Sequence, residues 1–145
     1  KTLMSTALKF AHLRLSPPTL GLMASEAAIS APSSYLEGVK RTYEKRKDLT
    51  IAALKKIEGV RVSSPMGAFY CIVKLPVENA EDFSKFLLTD FKDQGQTVMF
   101  APAAGFYSSP ELGKDQVRLA FVLESNKLKR AAEILEKALT AYNNL

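Results

Sequence analysis

The 145-residue sequence predicts an α+β fold: a small, mainly antiparallel sheet covered by helices, with a long helix in its N-terminal half. Three observations predict it. Residues 1–58 carry helical spacing interrupted only at prolines. Residues 60–123 alternate short β-rich runs with one amphipathic helix, and the remainder returns to helical spacing. Helices followed by β-β-α-β-β-α leave one sheet face to be covered by the helices around it.

Each element has its own signal. Leu3, Met4, Ala7, Leu8, Ala11 and Leu15 fall on one broad helical face, which Pro17-Pro18 ends because two prolines cannot continue a helix. Residues 20–30 form a second short helix, with Thr19 as its cap. Ser34 and Glu37 have the spacing of a capping box, opening a long helix over 35–58 that Gly59 stops. Its seam is Leu36, Val39, Tyr43, Thr50, Leu54 and Ile57. Val60-Arg61-Val62 alternates as a strand, and Phe69 to Leu75 is a β-rich run closed by Pro76. Asn79 caps a helix whose stripe is Phe83, Phe86, Leu87 and Phe91, ended by Gly95. Strands follow at 97–101 and 117–123, separated by the loop from Pro102 to Tyr107. Ser125 caps the last helix, with a seam of Leu128, Ala131, Ala132, Leu135, Ala138, Leu139 and Tyr142.

Composition narrows the function classes. Hydrophobic residues make up 47% of the chain, ordinary for a globular domain with a sizeable core. The net charge of +5 is spread along the chain. Its longest basic cluster, Lys45-Arg46-Lys47, lies in a helical pattern and reads as a solvated face rather than a nucleic-acid patch. Nothing approaches the roughly 20 consecutive apolar residues of a membrane helix. The lone cysteine, Cys71, forms no intrachain disulfide, so a cytoplasmic setting is expected. It sits in an apolar run and reads as a small buried hydrophobe, and no motif joins it to the lone histidine, His12. No metal-ligand cluster is expected. The chain starts at Lys1 directly in a helical pattern, so it is expected to be a fragment.

Three features carry chemistry. Arg118 is the only charge inside the Val117–Leu123 run, and alternation places it opposite Val117 and Leu119. It is either a solvent-facing arginine on a half-exposed sheet or a planar fork offered to a carboxylate or phosphate. Phe69 and Tyr70 follow the small-residue turn Gly67-Ala68, as core aromatics or as the wall of a site. The small residues of the 102–107 loop either connect two strands or let the backbone approach a ligand.

Taken in order, Tyr43 to Leu54 with its basic run, Gly59-Val60, Pro65-x-Gly67-Ala68-Phe69-Tyr70, Pro102 to Phe106 and Val117-Arg118-Leu119-Ala120-Phe121 resemble the C-terminal (small) domain of a fold-type I pyridoxal-phosphate-dependent aminotransferase. The likeness is to the aspartate-aminotransferase-like class I/II group and covers essentially the whole chain. It implies substrate-binding roles for Arg118, on the α-carboxylate, and for Phe69, an aromatic beside the substrate. It implies helical segments at 1–34 that join or contact a large domain, an interdomain helix at 35–58, and the sheet with its covering helices at 59–145. Ser16 to Thr19 resembles the segment that approaches the partner subunit's active site. Relatives carry Pro-Gly where this chain has Pro102-Ala103, which leaves the loop's contacts open.

The resemblance also implies what this stretch lacks. No Ser-x-x-Lys and no Asp-x-x-Tyr occurs, so no catalytic residue and no covalently held pyridoxal 5'-phosphate is expected here. The whole enzyme implied is a homodimer of amino-acid metabolism and biosynthesis. It would move an amino group between an amino acid and a 2-oxo acid, with no nucleic-acid or membrane partner. Two other readings stand beside it: another enzyme of the same fold (a decarboxylase, lyase or acyltransferase), or a non-enzymatic α+β binding module.

Overall fold

The computed structural model describes residues 2–13, 15–109 and 111–145. Two compact units divide at Gly38–Val39. In the first, α1 (Thr2–Leu13) and α2 (Thr19–Ile29) have no buried residue. Leu15 lies beyond the end of α1. Thr19 is the first residue of α2 rather than its cap. Pro18 takes the cap position, and its carbonyl accepts the Leu22 N–H at 3.1 Å. Proline suits this place because its fixed φ leads into the first turn.

The long helix α3 runs Ser33–Leu54. Ser34 therefore lies inside it and is not the cap of a box. Nor does the helix reach residue 58. Lys56, Ile57 and Val60 donate to the carbonyls three residues back, so the chain tightens into turns after Leu54. Gly59 closes them at φ +75°, where an added Cβ would press on the Pro76 ring at 2.7 Å. The tightening turns the chain so that Arg61 and Val62 can pair with the next strand.

The second unit holds the sheet, of strands β1 (Arg61–Val62), β2 (Tyr70–Lys74), β3 (Ala101–Pro102) and β4 (Gln116–Ala120). Their order is β1-β2-β4-β3, and every neighbouring pair is antiparallel. Ile72 faces Arg118 across the central pair, Tyr70 faces Ala120 and Val73 faces Val117. All four strands are shorter than expected, β3 and β4 with the clearest differences. Of residues 97–101 only Ala101 joins the ladder, and Thr97 donates its hydroxyl to the Leu87 carbonyl of α4 (Ala80–Thr89). β4 ends at Ala120 because its partner begins at Tyr70, although one further bond, Phe121 N–H to Phe69 O, is made at 2.9 Å.

α4 and α5 (Ser125–Tyr142) complete the unit. Asn79 caps α4 as expected, accepting the Glu81 N–H at 2.8 Å. α4 stops at Thr89 rather than at Gly95, and Gln94 and Gly95 turn left-handed within a small hairpin closed by Asp93 and Gln96. Ser125 is inside α5, and Glu124 is its cap residue through the backbone alone. The core joins Ile51, Leu54 and Ile57 to Cys71, Val73, Leu75 and Val117, and to Phe83, Leu87, Phe121, Leu128 and Leu135. Ile134, absent from the expected α5 seam, is also buried.

Candidate functional site

The sheet separates two kinds of side chain. Along β2, Cys71 and Val73 point into the core while Tyr70, Ile72 and Lys74 remain exposed. Along β4, Val117 is fully buried and Arg118 is exposed on the opposite side. Register therefore puts Tyr70, Ile72 and Arg118 on one outer face, with Arg118 directly across from Ile72 and diagonal to Tyr70.

Arg118 has an aromatic ring on each flank. Its guanidinium carbon lies 5.3 Å from the centre of the Tyr70 ring and 5.0 Å from that of Phe106. Both distances are within the range of a cation–π contact. Tyr70 comes from β2 and Phe106 from the 3-10 turn Ala104–Phe106 that follows β3. Among the described residues no carboxylate lies within ion-pair distance of Arg118, so its N–H donors are open to a ligand.

Phe69 lies next in the same row. It is 52% exposed and meets Tyr70 edge to face, with ring centres 5.6 Å apart. It also meets Tyr43 of α3 at 6.4 Å. Arg46 closes the row, 5.5 Å from the Tyr43 ring centre and donating to the Val122 carbonyl at 2.7 Å. Ala68 introduces Phe69 in a left-handed conformation, φ 61°, that a residue with a Cβ seldom adopts. Gly67, the glycine of that turn, is not the residue in that conformation.

The structure thus joins Arg118 and Phe69 through Tyr70. Sequence reasoning missed the flanking roles of Tyr70 and Phe106 and assigned Tyr43 to a helix seam. Alternation along each strand was visible, but the register that sets Tyr70 beside Arg118 is a tertiary fact.

The 102–107 loop is a built support. Ala103 is buried, donates its N–H to the Gln116 carbonyl at 2.8 Å and has φ −94°, a conformation that does not call for glycine. The Tyr107 hydroxyl donates to Gln116 Oε1 at 2.7 Å. Its ring lies against Gly113, at φ +72°, where an added Cβ would collide with it. The loop is therefore fixed to β4 two residues from Arg118.

Behind β4 lies an open, largely apolar groove of about 1130 Å³. Leu54, Val98, Phe100, Leu119 and Leu135 line it, and Arg118 borders it. Because the exposed charge of Arg118 meets two rings on the outer face, we take that face, and not the groove, as the candidate site.

The residues present do not make a covalent pyridoxal-phosphate site. Of the described lysines, Lys47 is half-buried and beside Asp48, and the others are exposed. Lys74, on the same outer face as Arg118, is held by Asp115 at 2.6 Å. No buried side-chain polar atom among the described residues lacks a partner, so no orphaned donor awaits a phosphate or a ring nitrogen. Cys71 is 5% exposed, and burial pushes its thiol up to about 11, which leaves it inert. Groups of metal-binding side chains are absent among the described residues, and none of their helices is long and apolar enough to cross a membrane.

Known proteins agree with this architecture. An aspartate aminotransferase from Sulfolobus acidocaldarius is 33% identical over 119 residues, 76% of this chain and 28% of that protein. One from Bacillus subtilis is 28% identical over 139 residues, covering 91% of this chain and 33% of its own length. Among solved structures, alanine aminotransferase from Pyrococcus furiosus superposes with a TM-score of 0.75 at 26% identity, over 92% of this chain and 33% of that one. The α-aminoadipate aminotransferase LysN from Thermus thermophilus, solved with N-(5'-phosphopyridoxyl)-L-leucine, shares the fold at 0.67 and 24% identity, over 80% of this chain and 29% of its own. The chain thus spans about a third or less of these relatives' length. Residues 1–135 match the family description aminotransferase class I and II, and to that family this chain belongs.

Proposed function

We propose that this chain is the small-domain segment of a pyridoxal-phosphate-dependent aminotransferase and that Arg118 binds the substrate α-carboxylate there. One observation carries the reading: in a member of this family, an arginine on a central strand is exposed, held between two aromatic rings and free of any described carboxylate partner. A guanidinium fork matches the two oxygens of a carboxylate, whereas an ammonium offers only a point charge. Phe69, beside Tyr70, packs along the apolar part of the same substrate.

In this reading the lysine that carries the cofactor, and the groups that hold its ring and phosphate, belong to a large domain. When bound, pyridoxal phosphate supplies the electron sink for moving an amino group between an amino acid and a 2-oxo acid. This chain supplies orientation. Residues 1–34 join or contact the large domain, the segment 35–58, most of it α3, links the two domains, and 59–145 present the carboxylate site. The whole enzyme is a cytoplasmic homodimer of amino-acid biosynthesis.

Arg118→Lys and Arg118→Ala in the complete enzyme test it. Charged hydrogen bonds of this kind contribute about 1.5–3 kcal/mol, so kcat/KM should fall roughly ten- to a hundredfold per bond lost. The cofactor absorbance and the melting temperature should stay as they are. Unchanged kcat/KM in both variants would return Arg118 to an ordinary surface role.

A further inference from the structure

We infer that Phe106 and Tyr70 are positioning residues for Arg118: two rings, one from β2 and one from the 3-10 turn after β3, hold the guanidinium in the orientation that receives a carboxylate. The inference deepens the proposed function and rests on its assignment of Arg118.

An arginine side chain is long and rich in rotamers. A binding arginine must lose that freedom either when the ligand arrives or beforehand. Here no described carboxylate holds the guanidinium in place. The groups that meet it are the two rings, at 5.3 Å and 5.0 Å. They approach from different segments: Tyr70 across the β2–β4 ladder, and Phe106 from the 3-10 turn after β3, whose Ala101 pairs with Arg118. A ring face attracts the delocalised charge without competing as a carboxylate would. The N–H fork therefore stays available while the swing of the side chain is limited. Preorganising a binding group in this way improves affinity by reducing the ordering cost on association.

Phe106 stands on a fixed support. Its own N–H donates to the Ala103 carbonyl at 3.0 Å. Ala103 is tied to Gln116, and Tyr107 is tied to the Gln116 side chain and seated on Gly113. A loop fastened this way holds a ring in place better than a free connection would. Phe106 is nevertheless 58% exposed, so burial does not explain why an aromatic residue occupies the position. Its contact with Arg118 does.

The test uses Phe106→Leu, Phe106→Tyr and Tyr70→Leu beside Arg118→Lys in the complete enzyme. A cation–π contact at an exposed site corresponds to roughly a two- to fivefold effect. Phe106→Leu and Tyr70→Leu should each raise KM for the carboxylate substrate by about that factor, with kcat and melting temperature held. Phe106→Tyr, which keeps the ring, should restore KM. In the 145-residue chain itself, the Arg118 Nε–Hε resonance should sit upfield through ring current and move toward the exposed-arginine position in Phe106→Leu. The Tyr70 variant comes from a separate strand and reads the same property if Phe106→Leu does not fold. If Arg118→Lys lowers kcat/KM while neither ring variant changes KM or the resonance, the positioning role is overturned and the carboxylate assignment stands. If Arg118→Lys changes nothing, the carboxylate assignment falls and the inference falls with it.

Discussion

Phe121 and Phe69 share a backbone hydrogen bond just beyond the ends of β4 and β2, yet one is buried and the other is exposed. Phe121 is 1% exposed and lies in the core with Val73, Val117 and Phe83. Phe69, on the segment paired with it, is half exposed in a row with Tyr70 and Arg118. The same residue type thus does two jobs a strand apart. The inner face supplies stability, because its apolar area leaves water entirely. The exposed row leaves apolar and charged groups in solvent, where they gain little for folding and remain free to meet a ligand.

The sharpest way to break that division is to truncate both phenylalanines. Phe121→Ala should destabilise the chain by about 3–5 kcal/mol through lost transfer energy and the cavity left behind. Phe69→Ala should change stability by under about 1 kcal/mol, as surface replacements usually do. Urea denaturation of the two variants compares them directly. Equal losses would mean that the outer row is structural.

A smaller effect concerns Cys71 on the inner face. Its thiol has a model-compound value of 9.0 and burial raises it to about 11. At pH 8 the thiolate fraction should be about a hundredfold below that of an unfolded cysteine. Alkylation should therefore be slow in the native chain and fast in urea. The sign for stability follows. The raised value leaves stability unaffected below about pH 9 and erodes it as pH climbs from about 9 to about 11, where only the unfolded thiol ionises. Rapid native alkylation at pH 8 would move Cys71 out of the core.

The smallest effect lies away from the sheet. Asp93 accepts from Lys137 Nζ at 2.9 and 3.1 Å and from Arg130 Nη2 at 2.6 Å. Hydrogen bonds from Lys137 first and Arg130 second hold its carboxyl below the usual carboxylate range. A lowered value stabilises the fold above the unfolded carboxyl value of about 3.9 and is lost as pH falls through the folded one. Asp93→Asn should lower the melting temperature by roughly 1–4 °C at pH 7, less in high salt, and by nothing at strongly acid pH. A pH-independent difference would show that packing of the 93–96 turn, and not charge, is what the carboxylate provides.

Much of the fold was legible because its signals are local. Asn79 caps α4 where a short polar acceptor precedes an acidic first turn, and the stripe Phe83, Phe86, Leu87 and Phe91 does pack into or against the core. Alternation placed Arg118 opposite Val117, and the structure keeps it so. The misses fall where pairing partners decide. Residues 97–100 have strand-like chemistry but no ladder, since β4 meets this segment only at Ala101 and Pro102. Residues 55–58 have helical chemistry but tighten into turns so that β1 can reach β2.

The sequence by itself determined which residues are apolar, where helices are interrupted, and that one arginine sits alone in a β-rich run. Period and capping depend on neighbours a few residues away, so they can be read without the fold. Only the tertiary structure decided that Tyr70 and Phe106, separated by 36 positions, flank that arginine. Strand order and register set such distances, and a shift of one residue in either strand would carry Tyr70 or Arg118 to the opposite face of the sheet.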